Sequence, residues 1–452
     1  MAFNGLADVL QGHDRKIIAF LDDENIYLQR FKEDVAQLCF LLKNKPDQRI
    51  AICCEDSYYF SVAFFGAFYA NKNVVLPGNH QPAMLASLTM HFDLMIDDGL
   101  LDELAFCLQL KLPLQTPKHE DLDFPSLILD KLTLTLFTSG SSGDPKSIVK
   151  TLAMLDKEIT VLDQCWGEKL ADSQIVSTVS HQHIYGLLFR VLWPLCAERA
   201  FDRHDLLYPE QISQKPANKQ TLISSPALLK RLNDIEGHNG YCAIFSSGGP
   251  LPEEAAFVCK KHFLDRPIEV FGSTETGGIG YRQQTTAQTP WSFFPSINAT
   301  LSGDHCLALK SPWIDENHWY QTSDQCELLT NNQFILKGRV DRIVKVEEKR
   351  VSLIEVENQL NALKGVEESA VITLNEGNRI SLAAVLVLTT LGAEKMQEIG
   401  KGRFWILLRN TLRKWLEPVA IPRHFRLVDE IEVNKQGKRS FLALSALFEY
   451  QK

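Results

Sequence analysis

The sequence predicts an α/β protein with a large N-terminal domain of mainly parallel sheets covered by helices, a small antiparallel sub-domain, and a small α+β C-terminal lid. Short apolar runs alternate with stretches of helical periodicity, which is typical of parallel sheets with helices on both faces. Several of these runs end in polar or glycine-rich loops, and ligands bind at such strand ends. The chain of 452 residues is also too long for a single hydrophobic core.

Composition limits the classes of function that the chain can have. Hydrophobic residues make up 45% and charged residues 23%, as in globular proteins. The formal net charge of -9 argues against nucleic acid as the main partner, because binding of the phosphate backbone needs a basic face. The 10 cysteines are scattered without a Cys-x-x-Cys pair, which favours reduced apolar filler over a metal site or a disulfide framework. We find no signal sequence and no apolar run long enough to span a membrane, so we expect a cytoplasmic protein.

The first part of the chain shows the alternation of strands and helices. Short apolar runs predict strands at 17–20, 49–54, 74–76 and 93–96. Helical spacing of apolar residues predicts helices at 27–43 and 57–69. Ser57 is a residue type that caps helices, so we expect it to cap the second of them.

The middle of the chain continues the pattern, with a polar loop after each strand. We predict strands that end at Phe137 and at 175–179, 221–224, 242–245 and 268–270. Helices are expected at 152–166, 187–195, 227–232 and 253–262. Loops that share one polar style at successive strand ends indicate a single crevice.

The last part of the chain differs in character. Residues 281–335 contain scattered turns and short apolar pieces, which favours an antiparallel sub-domain. The remainder has strand-like runs at 369–374 and 382–388 and a helix at 404–416, and we expect it to form the lid. We therefore predict domains at 1–338 and 339–452.

The stretch from Leu134 to Ser147 is the first candidate site. An apolar run ends at Phe137 and is followed by small residues, Thr138 to Gly143, and then by Asp144, Pro145 and Lys146. Backbone N–H groups and hydroxyls in such a loop can close around phosphate oxygens, and Lys146 adds a positive charge. A lone Ser/Gly cluster is more often a surface turn. The nucleotide-binding pattern Gly-x-x-x-x-Gly-Lys-Ser does not fit, because Asp144 and Pro145 separate the last glycine from Lys146.

Several motifs occur in an order that is very specific. They are Thr138-Ser-Gly-Ser-Ser-Gly-Asp-Pro-Lys146, His183-Ile-Tyr-Gly186, Ser247-Gly-Gly-Pro-Leu251, Phe271-Gly-Ser-Thr-Glu275, Tyr320-Gln-Thr-Ser-Asp324, Gly338-Arg-Val-Asp341 and Asn434-Lys-Gln-Gly-Lys-Arg439. In order and rough spacing they resemble the adenylate-forming (AMP-binding) enzymes over nearly the whole chain. This family includes acyl- and aryl-CoA synthetases, and the short chain resembles stand-alone bacterial ligases for acyl or aryl carrier proteins.

The resemblance implies a two-step reaction. ATP, with Mg²⁺, activates a carboxylic acid to an acyl-adenylate, and pyrophosphate is released. The thiol of coenzyme A or of phosphopantetheine on a carrier protein then displaces AMP. A partner carrier protein and a small aryl or medium-chain fatty acid are the substrates that it implies.

The resemblance also assigns roles to the nucleotide-binding motifs. The phosphates of ATP would be held by Thr138, Ser139, Gly140, Ser141, Ser142, Gly143 and Lys146. The adenine would lie against Gly248, Gly249 and Pro250, where we expect side chains to clash. The motif that follows the next strand is Phe271, Gly272, Ser273 and Thr274, and Glu275 after it would hold Mg²⁺, which prefers oxygen ligands. Taken singly, the glycine pair is more often part of a turn, and the alternative for Glu275 is a surface carboxylate.

The remaining roles fall on residues further apart in the chain. Asp324 would accept both ribose hydroxyls, with Arg339 nearby, since an ionised carboxylate accepts two hydrogen bonds. His183 would lie near the acyl carboxylate, and Gly186 favours it over the competing His181. Lys438 would bridge the carboxylate and the α-phosphate as the adenylating lysine. Asp341 would be the hinge, around which the mobile lid would rotate between the two half-reactions.

Two positions depart from the family pattern. Ser323 stands where glycine is usual, a mild change in the ribose loop. Glu348 stands where many members have glycine, in the loop that would meet the thiol substrate. Its negative charge disfavours coenzyme A, itself an anion, and favours a carrier protein as acceptor.

Two other functions compete with an acid–thiol ligase. An amino-acid-activating enzyme would need an acidic residue near the substrate ammonium, and there is no Asp or Glu between Ser177 and Arg190. A non-catalytic nucleotide- or acyl-binding regulator would be expected to have lost Lys438, Glu275 or Asp324. All three are present.

Overall fold

A computed structural model describes most of the chain. It covers residues 3–78, 80–102, 104–115, 123–139, 145–214, 219–232, 240–303, 305–339, 342–346, 349–376, 379–413, 415–416, 418–433, 439 and 441–449. The chain forms two compact units, one of Met1–Asn298 with Lys310–Trp319 and the other of Ala299–Leu309 with Tyr320–Lys452. The predicted boundary at residue 338 stays a prediction, because it concerns which residues move together. No helix in the described part is long and apolar enough to cross a membrane.

Strands and helices alternate through the first unit, as predicted. The strands are β1 (Ile17–Leu21), β2 (Glu24–Tyr27), β3 (Arg49–Cys53), β4 (Asn73–Leu76), β5 (Leu94–Asp97), β6 (Leu108–Lys111), β7 (Thr133–Ser139), β8 (Pro145–Thr151), β9 (Gln174–Ser177), β10 (Phe201–Asp205), β11 (Gln220–Ser224), β12 (Ala243–Ser246), β13 (Ile268–Ser273), β14 (Gly277–Gln283) and β15 (Trp291–Phe293). The α-helices are α1 (Leu28–Lys43), α2 (Ser57–Tyr69), α3 (Pro82–Ser87), α4 (Leu152–Trp166), α5 (Ile184–Gly186), α6 (Trp193–Cys196), α7 (Pro209–Gln214), α8 (Pro226–Leu229) and α9 (Glu253–Phe263). Short 3₁₀ helices lie at Leu6–Gln11, Thr89–His91 and Leu129–Lys131.

Two mainly parallel sheets form the frame of the first unit, which confirms the predicted fold class. In one, the order is β6-β5-β3-β4-β7-β8, and only the β7–β8 pair is antiparallel. In the other, β1, β10, β9, β11, β12 and β13 are parallel neighbours in that order. Antiparallel strands flank this core, β2 beside β1 and β14 then β15 beside β13.

Helix α2 lies in the centre of this unit. It contacts β3 and β4 of one sheet and β10 of the other. Phe60, Phe64 and Phe68, which recur along one side of the helix, are at most 2% exposed, and Phe65 on another side is 1% exposed. A helix that is apolar all round is expected where packing covers every side.

The N-cap of α2 is Asp56 and not Ser57, so that prediction is wrong. The Asp56 carboxylate accepts hydrogen bonds from the backbone N–H groups of Tyr58 and Tyr59, at 2.8 and 3.4 Å. Arg203 binds the same carboxylate from β10, with Nη2 at 2.5 Å from Oδ2. Ser57 instead lies in the first turn of the helix, fully buried.

The helix predicted at 187–195 also differs in detail. The chain is α-helical at Ile184–Gly186, forms a π-helix at Leu187–Leu192, and is α-helical again at Trp193–Cys196. Arg190 in the π-helix is 1% exposed and is paired with Asp205. A wider helical turn of this kind changes the direction of the side chains, which apolar periodicity does not predict.

Neighbouring strands whose residues belong mostly to the second unit follow, and the antiparallel pair of Asp315–Leu329 with Gln333–Arg339 among them agrees with the predicted antiparallel sub-domain. These are β16 (Asn298–Leu301), β17 (Cys306–Ser311), β18 (Asp315–Leu329) and β19 (Gln333–Arg339), in that order. The short antiparallel pair β20 (Ile343–Val346) and β21 (Lys349–Ser352) follows. Strands β22 (Val366–Glu376), β23 (Arg379–Leu388) and β24 (His424–Leu427) form a separate sheet.

Helices cover the β22–β24 sheet and give an α+β arrangement, as predicted for the lid. They are α10 (Leu353–Asn361), α11 (Thr390–Ile399), α12 (Lys401–Leu412) and α13 (Phe441–Glu449), with a 3₁₀ helix at Pro418–Ala420. Phe404, Leu408 and Leu412 recur at helical spacing along α12 and are buried in the core against this sheet. The predicted helix at 404–416 therefore begins and ends earlier than expected.

Candidate active site

The loops after β9, β11, β12 and β13 lie at one edge of a sheet, because these strands are parallel neighbours. Side chains join adjacent loops there. The hydroxyl oxygens of Thr178 and Ser224 are 2.9 Å apart, and Ser247 donates to the carbonyl of Val270 at 2.8 Å. The shared crevice expected from the polar strand ends therefore has a structural basis within the first unit.

The turn between β13 and β14 is tightly held. Ser273 and Thr276 bind each other through their hydroxyls at 3.0 Å, and each backbone N–H also bonds the other hydroxyl. A Cβ on Gly272 would be 2.1 Å from the carbonyl oxygen of Gly277, so the close approach of the two strands requires glycine. Gly277 has φ +63°, a left-handed conformation that glycine adopts without strain. These contacts fix the backbone on both sides of Glu275.

Glu275 is the carboxylate that this turn presents. Its side chain is 24% exposed, and its Oε1 lies 3.1 Å from the Lys146 Nζ. Burial raises the pKa of Glu275, but hydrogen bonds from its own backbone N–H and from Lys146 outweigh that effect and hold the pKa below its ordinary value. Glu275 therefore carries an ionised carboxylate at neutral pH. Lys146 and Glu275, which sequence analysis assigned to phosphate and metal, lie together.

The predicted phosphate loop leaves the end of a hairpin. Thr138 and Ser139 belong to β7, and their backbones pair with Lys146 and Pro145 of β8. Lys146 is exposed on the strand that returns from the loop. The loop residues themselves lie outside the described residues, namely Gly140, Ser141, Ser142 and Gly143. Their phosphate role stays a prediction.

The glycines that we expect to bind adenine follow β12. Gly248 has φ +94°, which explains the glycine by backbone conformation. A Cβ on Gly249 would have nothing within 4 Å, so within the protein no clash requires glycine there. Pro250 beside it is exposed. Nearby, Phe271 packs against Trp291 with ring centroids 5.5 Å apart, and Thr274 is half-buried.

The two histidines after β9 have different surroundings. His181 is 1% exposed, and its ring nitrogens are each 2.9 Å from a partner, the Ser57 hydroxyl and the Cys54 carbonyl. Burial, with the nearby charge of Arg190, lowers the pKa of His181 well below its ordinary value. His183 is half-buried at the N-terminus of α5. The geometry gives His181 a structural role and leaves His183 as the accessible candidate.

Gly186, which favoured His183 in the sequence, has a packing reason. A Cβ there would be 2.1 Å from the carbonyl oxygen of Ser180. The chain between Ser180 and Gly186 therefore folds back on itself closely. This close approach positions the segment that carries His183.

Asp324 and Arg339 lie in the second unit, directly opposite each other on β18 and β19. The Arg339 Nη1 is 3.2 Å from the Asp324 Oδ1, and the Asp324 residue is 7% exposed. The Asp324 backbone N–H donates to the Thr322 hydroxyl at 3.1 Å. The expected proximity of the two residues is therefore seen, and their ribose role stays a prediction.

Three further predicted residues lie outside the described residues. They are Asp341, Glu348 and Lys438. The hinge, the loop that would meet the thiol and the adenylating lysine are therefore still predictions.

Two buried charged residues of the site were missed in the sequence. Lys150 and Glu158 are each 3% exposed. Lys150 donates to the carbonyls of Glu275 and Trp313, at 3.2 and 3.1 Å, and Glu158 accepts from the Gly278 N–H at 2.6 Å. Glu158 lies on the same face of α4 as the buried Leu155 and Leu162, and a carboxylate on a buried stripe was the available signal.

The part of the chain that the structure describes contains no group of three or more His, Cys, Asp or Glu side chains placed to hold a metal ion. A cation at Glu275 would therefore take its other ligands from water and from a phosphate. That arrangement is usual for Mg²⁺ and unusual for structural Zn²⁺.

Comparisons with known proteins agree with the resemblance. Residues 96–306 match the model of the AMP-binding enzymes. The 4-coumarate–CoA ligase of Halorhodospira halophila is 26% identical over 323 residues, which are 68% of this chain and 74% of that protein. A D-alanine–D-alanyl carrier protein ligase of Staphylococcus aureus is 23% identical over 357 residues, 70% of this chain and 71% of that protein.

A solved structure extends the likeness over the whole fold. The ATP-bound crystal structure of MatB from Rhodopseudomonas palustris has a TM-score of 0.83 and 18% identity, and the match covers 100% of this chain and 99% of that one. At this identity the match shows the fold. Residues 96–306 are thus similar to the AMP-binding enzymes, and the chain as a whole has the same fold as MatB.

Proposed function

We propose that this protein activates a carboxylic acid with ATP and transfers the acyl group to a thiol. In the first step, an oxygen of the acid attacks the α-phosphorus, the bond to the bridging oxygen breaks, and pyrophosphate leaves. In the second step, a thiolate attacks the acyl carbon and AMP leaves with the oxygen that came from the acid. A carboxylate is a poor acyl donor by itself, because oxide would be the leaving group.

The observation that carries this proposal is the Lys146–Glu275 pair. It brings the end of the β7–β8 hairpin to the edge where the polar loops of the other sheet lie, with a distance of 3.1 Å between Nζ and Oε1. The hairpin supplies an ammonium for phosphate oxygens, and the turn supplies an ionised carboxylate. Preorganised charges of this kind act where charge develops at the phosphates.

Glu275 is the residue that would hold Mg²⁺. Its carboxylate is ionised, partly open to solvent and already beside a cation, the Lys146 ammonium. Mg²⁺ binds through one or two carboxylates together with substrate phosphates and water, so a single protein carboxylate fits. The ion would neutralise the phosphates of ATP. Lys146 would turn from Glu275 to a phosphate oxygen when the nucleotide binds.

The acid is proposed to bind beside His183, against an aromatic wall. The ring of Tyr185 packs on Phe189 at 4.9 Å between centroids, and Phe189 packs on Phe245 at 5.2 Å. Phe189 and Phe245 are buried behind this wall, and Tyr185 is its half-buried ring. Such a wall suits an aryl or medium-chain fatty acid, whose apolar body gains free energy by burial.

Activation of an amino acid is the second candidate, favoured by the named D-alanine ligase among the relatives. An acidic side chain near the acid pocket would then have to bind the ammonium. Glu269 lies in β13 beside Ser246 of β12, but it is 2% exposed and its Oε1 is 2.8 Å from the Arg282 Nε. Gln284 donates to the same oxygen at 3.2 Å. Because Glu269 is already neutralised, the aryl or fatty acid is the better proposal.

The thiol is proposed to belong to phosphopantetheine on a carrier protein. The argument is Glu348, whose charge would repel the anionic coenzyme A. Relatives named for each acceptor occur. Faster thioester formation with coenzyme A than with a phosphopantetheinylated carrier protein would contradict this choice.

Pyrophosphate release measured across a panel of aryl, fatty and amino acids tests the proposal. We expect release that depends on both ATP and an apolar acid. Glu275→Gln should lower the rate about a hundredfold, whereas Glu254→Gln, a matched change on the exposed first turn of α9, should leave it unchanged. Formation of ADP, or pyrophosphate release that is independent of every acid, would refute the proposal.

A further inference from the structure

Two lysines of strand β8 contact the same residue, Glu275. Lys146 and Lys150 lie on the same face of β8, since side chains alternate along a strand. Lys146 Nζ is 3.1 Å from the carboxylate of Glu275, and Lys150 Nζ is 3.2 Å from its backbone carbonyl. The two lysines differ in exposure: the side chain of Lys146 is 59% exposed, while Lys150 is 3% exposed.

Lys150 is engaged on the protein side of the turn. Its ammonium also donates to the Trp313 carbonyl at 3.1 Å. Trp313 in turn donates from its indole N–H to the Gly278 carbonyl at 3.2 Å. The backbone at Glu275 and at Gly278 is therefore linked to the same group of residues.

The carboxylate of Glu158, on helix α4, has the opposite charge to the Lys150 ammonium. Its Oε1 accepts from the Gly278 N–H at 2.6 Å, while its Oε2 is buried without a hydrogen-bond partner in the described part of the chain. A Cβ on Gly277 would lie 2.6 Å from that Oε2, so the turn sits directly on the carboxylate. Lys150 thus holds one end of the turn and Glu158 holds the other.

Fixing a turn with two buried charged side chains costs free energy, because both charges lose their contact with water. Removal of a charged group from water costs several kcal/mol per ion, and replacement of buried charges by apolar residues is often neutral or stabilising. Most lysines keep their ammonium in water. A charged pair therefore calls for an explanation other than stability.

We propose that Lys150 and Glu158 are positioning residues for the candidate metal-binding turn. They orient the peptide groups on either side of Glu275 so that its carboxylate faces the position that Lys146 occupies here and Mg²⁺-ATP would approach. The inference rests on the proposed function, since it takes Glu275 as the magnesium ligand. The opposing view is that the pair only fastens β8 to the turn for stability.

The double variant Lys150→Met, Glu158→Gln separates the two views. It removes both charges, preserves length, and leaves no unpaired buried ion, so its melting temperature should recover relative to Lys150→Met. Binding of a non-hydrolysable ATP analogue can be measured by calorimetric titration at increasing Mg²⁺ concentrations. Even if stability recovers, the double variant should need a Mg²⁺ concentration about tenfold to a hundredfold higher than the wild type needs. Steady-state kinetics should show the same rise in KM for Mg²⁺-ATP.

Three controls complete the experiment. Glu275→Gln should show the same defect without loss of the turn, and Lys157→Met, on the exposed side of α4, should show none. Glu158→Gln by itself keeps the acceptor for Gly278 and serves if the double variant does not fold. The inference would be overturned if the folded double variant needed no more Mg²⁺ than the wild type. The same result with Glu158→Gln would overturn it if the double variant does not fold. Absence of Mg²⁺-dependent binding in the wild type would instead refute the proposed function.

Discussion

At the scale of single residues, the two histidines after β9 show that the same side chain can have different roles two positions apart. Ring nitrogens of His181 are bound to Ser57 and Cys54, and its ring lies 4.2 Å from that of Phe60. His183 is half-buried where α5 begins. The preference for His183 from the sequence stays a prediction, and the close contact of Gly186 with Ser180 is a matter of packing.

Alanine substitutions should separate the two histidines. His181→Ala should lower the free energy of unfolding by about 3 kcal/mol, because it leaves a cavity and buried polar groups without partners. His183→Ala should change it by less than about 1 kcal/mol but lower kcat/KM for the acid by about a hundredfold, because the carboxylate loses its alignment. Denaturant unfolding and pyrophosphate release measure these two effects. An equal loss of stability in both variants would contradict the assignment.

Asp93 is a carboxylate whose contacts favour its ionised form. Its carboxylate is bound by the Arg49 side chain, with Oδ1 at 2.5 Å from Nη2, and by the backbone N–H groups of Gln48 and Arg49 at 3.0 and 2.9 Å. The Arg49 side chain is the main cause that lowers the pKa of Asp93 from 3.8 to about 2. A carboxylate with a depressed pKa stabilises the fold above its unfolded pKa and loses that contribution as the pH falls through its folded pKa.

Asp93→Asn should therefore make the free energy of unfolding depend less on pH in one part of the pH range. The wild type should lose stability between pH 3.8 and about 2 as Asp93 becomes protonated, and the variant should lose less in that window. Near pH 7 the variant should be the less stable protein. Urea unfolding at several pH values measures the difference. A difference between the two proteins that is constant with pH would contradict the pKa assigned to Asp93.

At the scale of elements, the sequence predicted most strands and helices because their apolar spacing is regular. It missed β8, because Ser and Gly residues made the stretch after Phe137 look like a loop and because the strand begins with Pro145 and has mixed polarity. Strand β8 is an edge strand, where a proline is tolerated and one face needs no apolar residues. Its position depends on pairing with β7, and local periodicity does not report such pairing.

The sequence predicted caps and turns from residue types, and it did not show which remote residues bind them. Ser57 and Asp56 are both common cap residues, and the choice depended on Arg203, which is remote in sequence and binds Asp56. Lys150 and Glu158 were missed for the same reason. Their partners are main-chain groups of Glu275, Trp313 and Gly278. Long-range hydrogen bonds of this kind leave no pattern in the sequence.

Two glycines of the candidate site should respond differently to alanine. Gly272→Ala would place Cβ 2.1 Å from a carbonyl oxygen, so the turn must open, with a loss of about 2 kcal/mol of stability. Gly249→Ala meets nothing within 4 Å and should leave stability unchanged. If adenine lies on Gly249, this second variant should nevertheless raise KM for ATP by about tenfold, or 1.4 kcal/mol. An unchanged KM for ATP would contradict the adenine assignment.

At the scale of the whole molecule, the sequence predicted two domains, and the chain forms two compact units. Which residues rotate is a different question from which residues pack together, because a hinge needs only a few residues that change backbone angles. The proposed mechanism needs the lid to bring Lys438 to the α-phosphate and then to withdraw it. Asp341 is the proposed hinge.

Lys438→Ala should separate the two half-reactions. Pyrophosphate release should be abolished, because the ammonium that follows the charge between carboxylate and phosphate is lost. Thioester formation from a synthetic acyl-adenylate should survive, because Lys438 takes no part in that step. Single-turnover measurements of each half-reaction test this. Equal losses in both would contradict a mechanism with two lid positions.

The central claim is that an oxygen of the acid becomes bonded to the α-phosphorus of ATP. Labelling of the acid substrate with ¹⁸O in its carboxylate tests this directly, with mass spectrometry of the AMP released after complete turnover to the thioester. We expect AMP that carries one ¹⁸O atom from the acid. AMP without the label, or ADP as the nucleotide product, would contradict it.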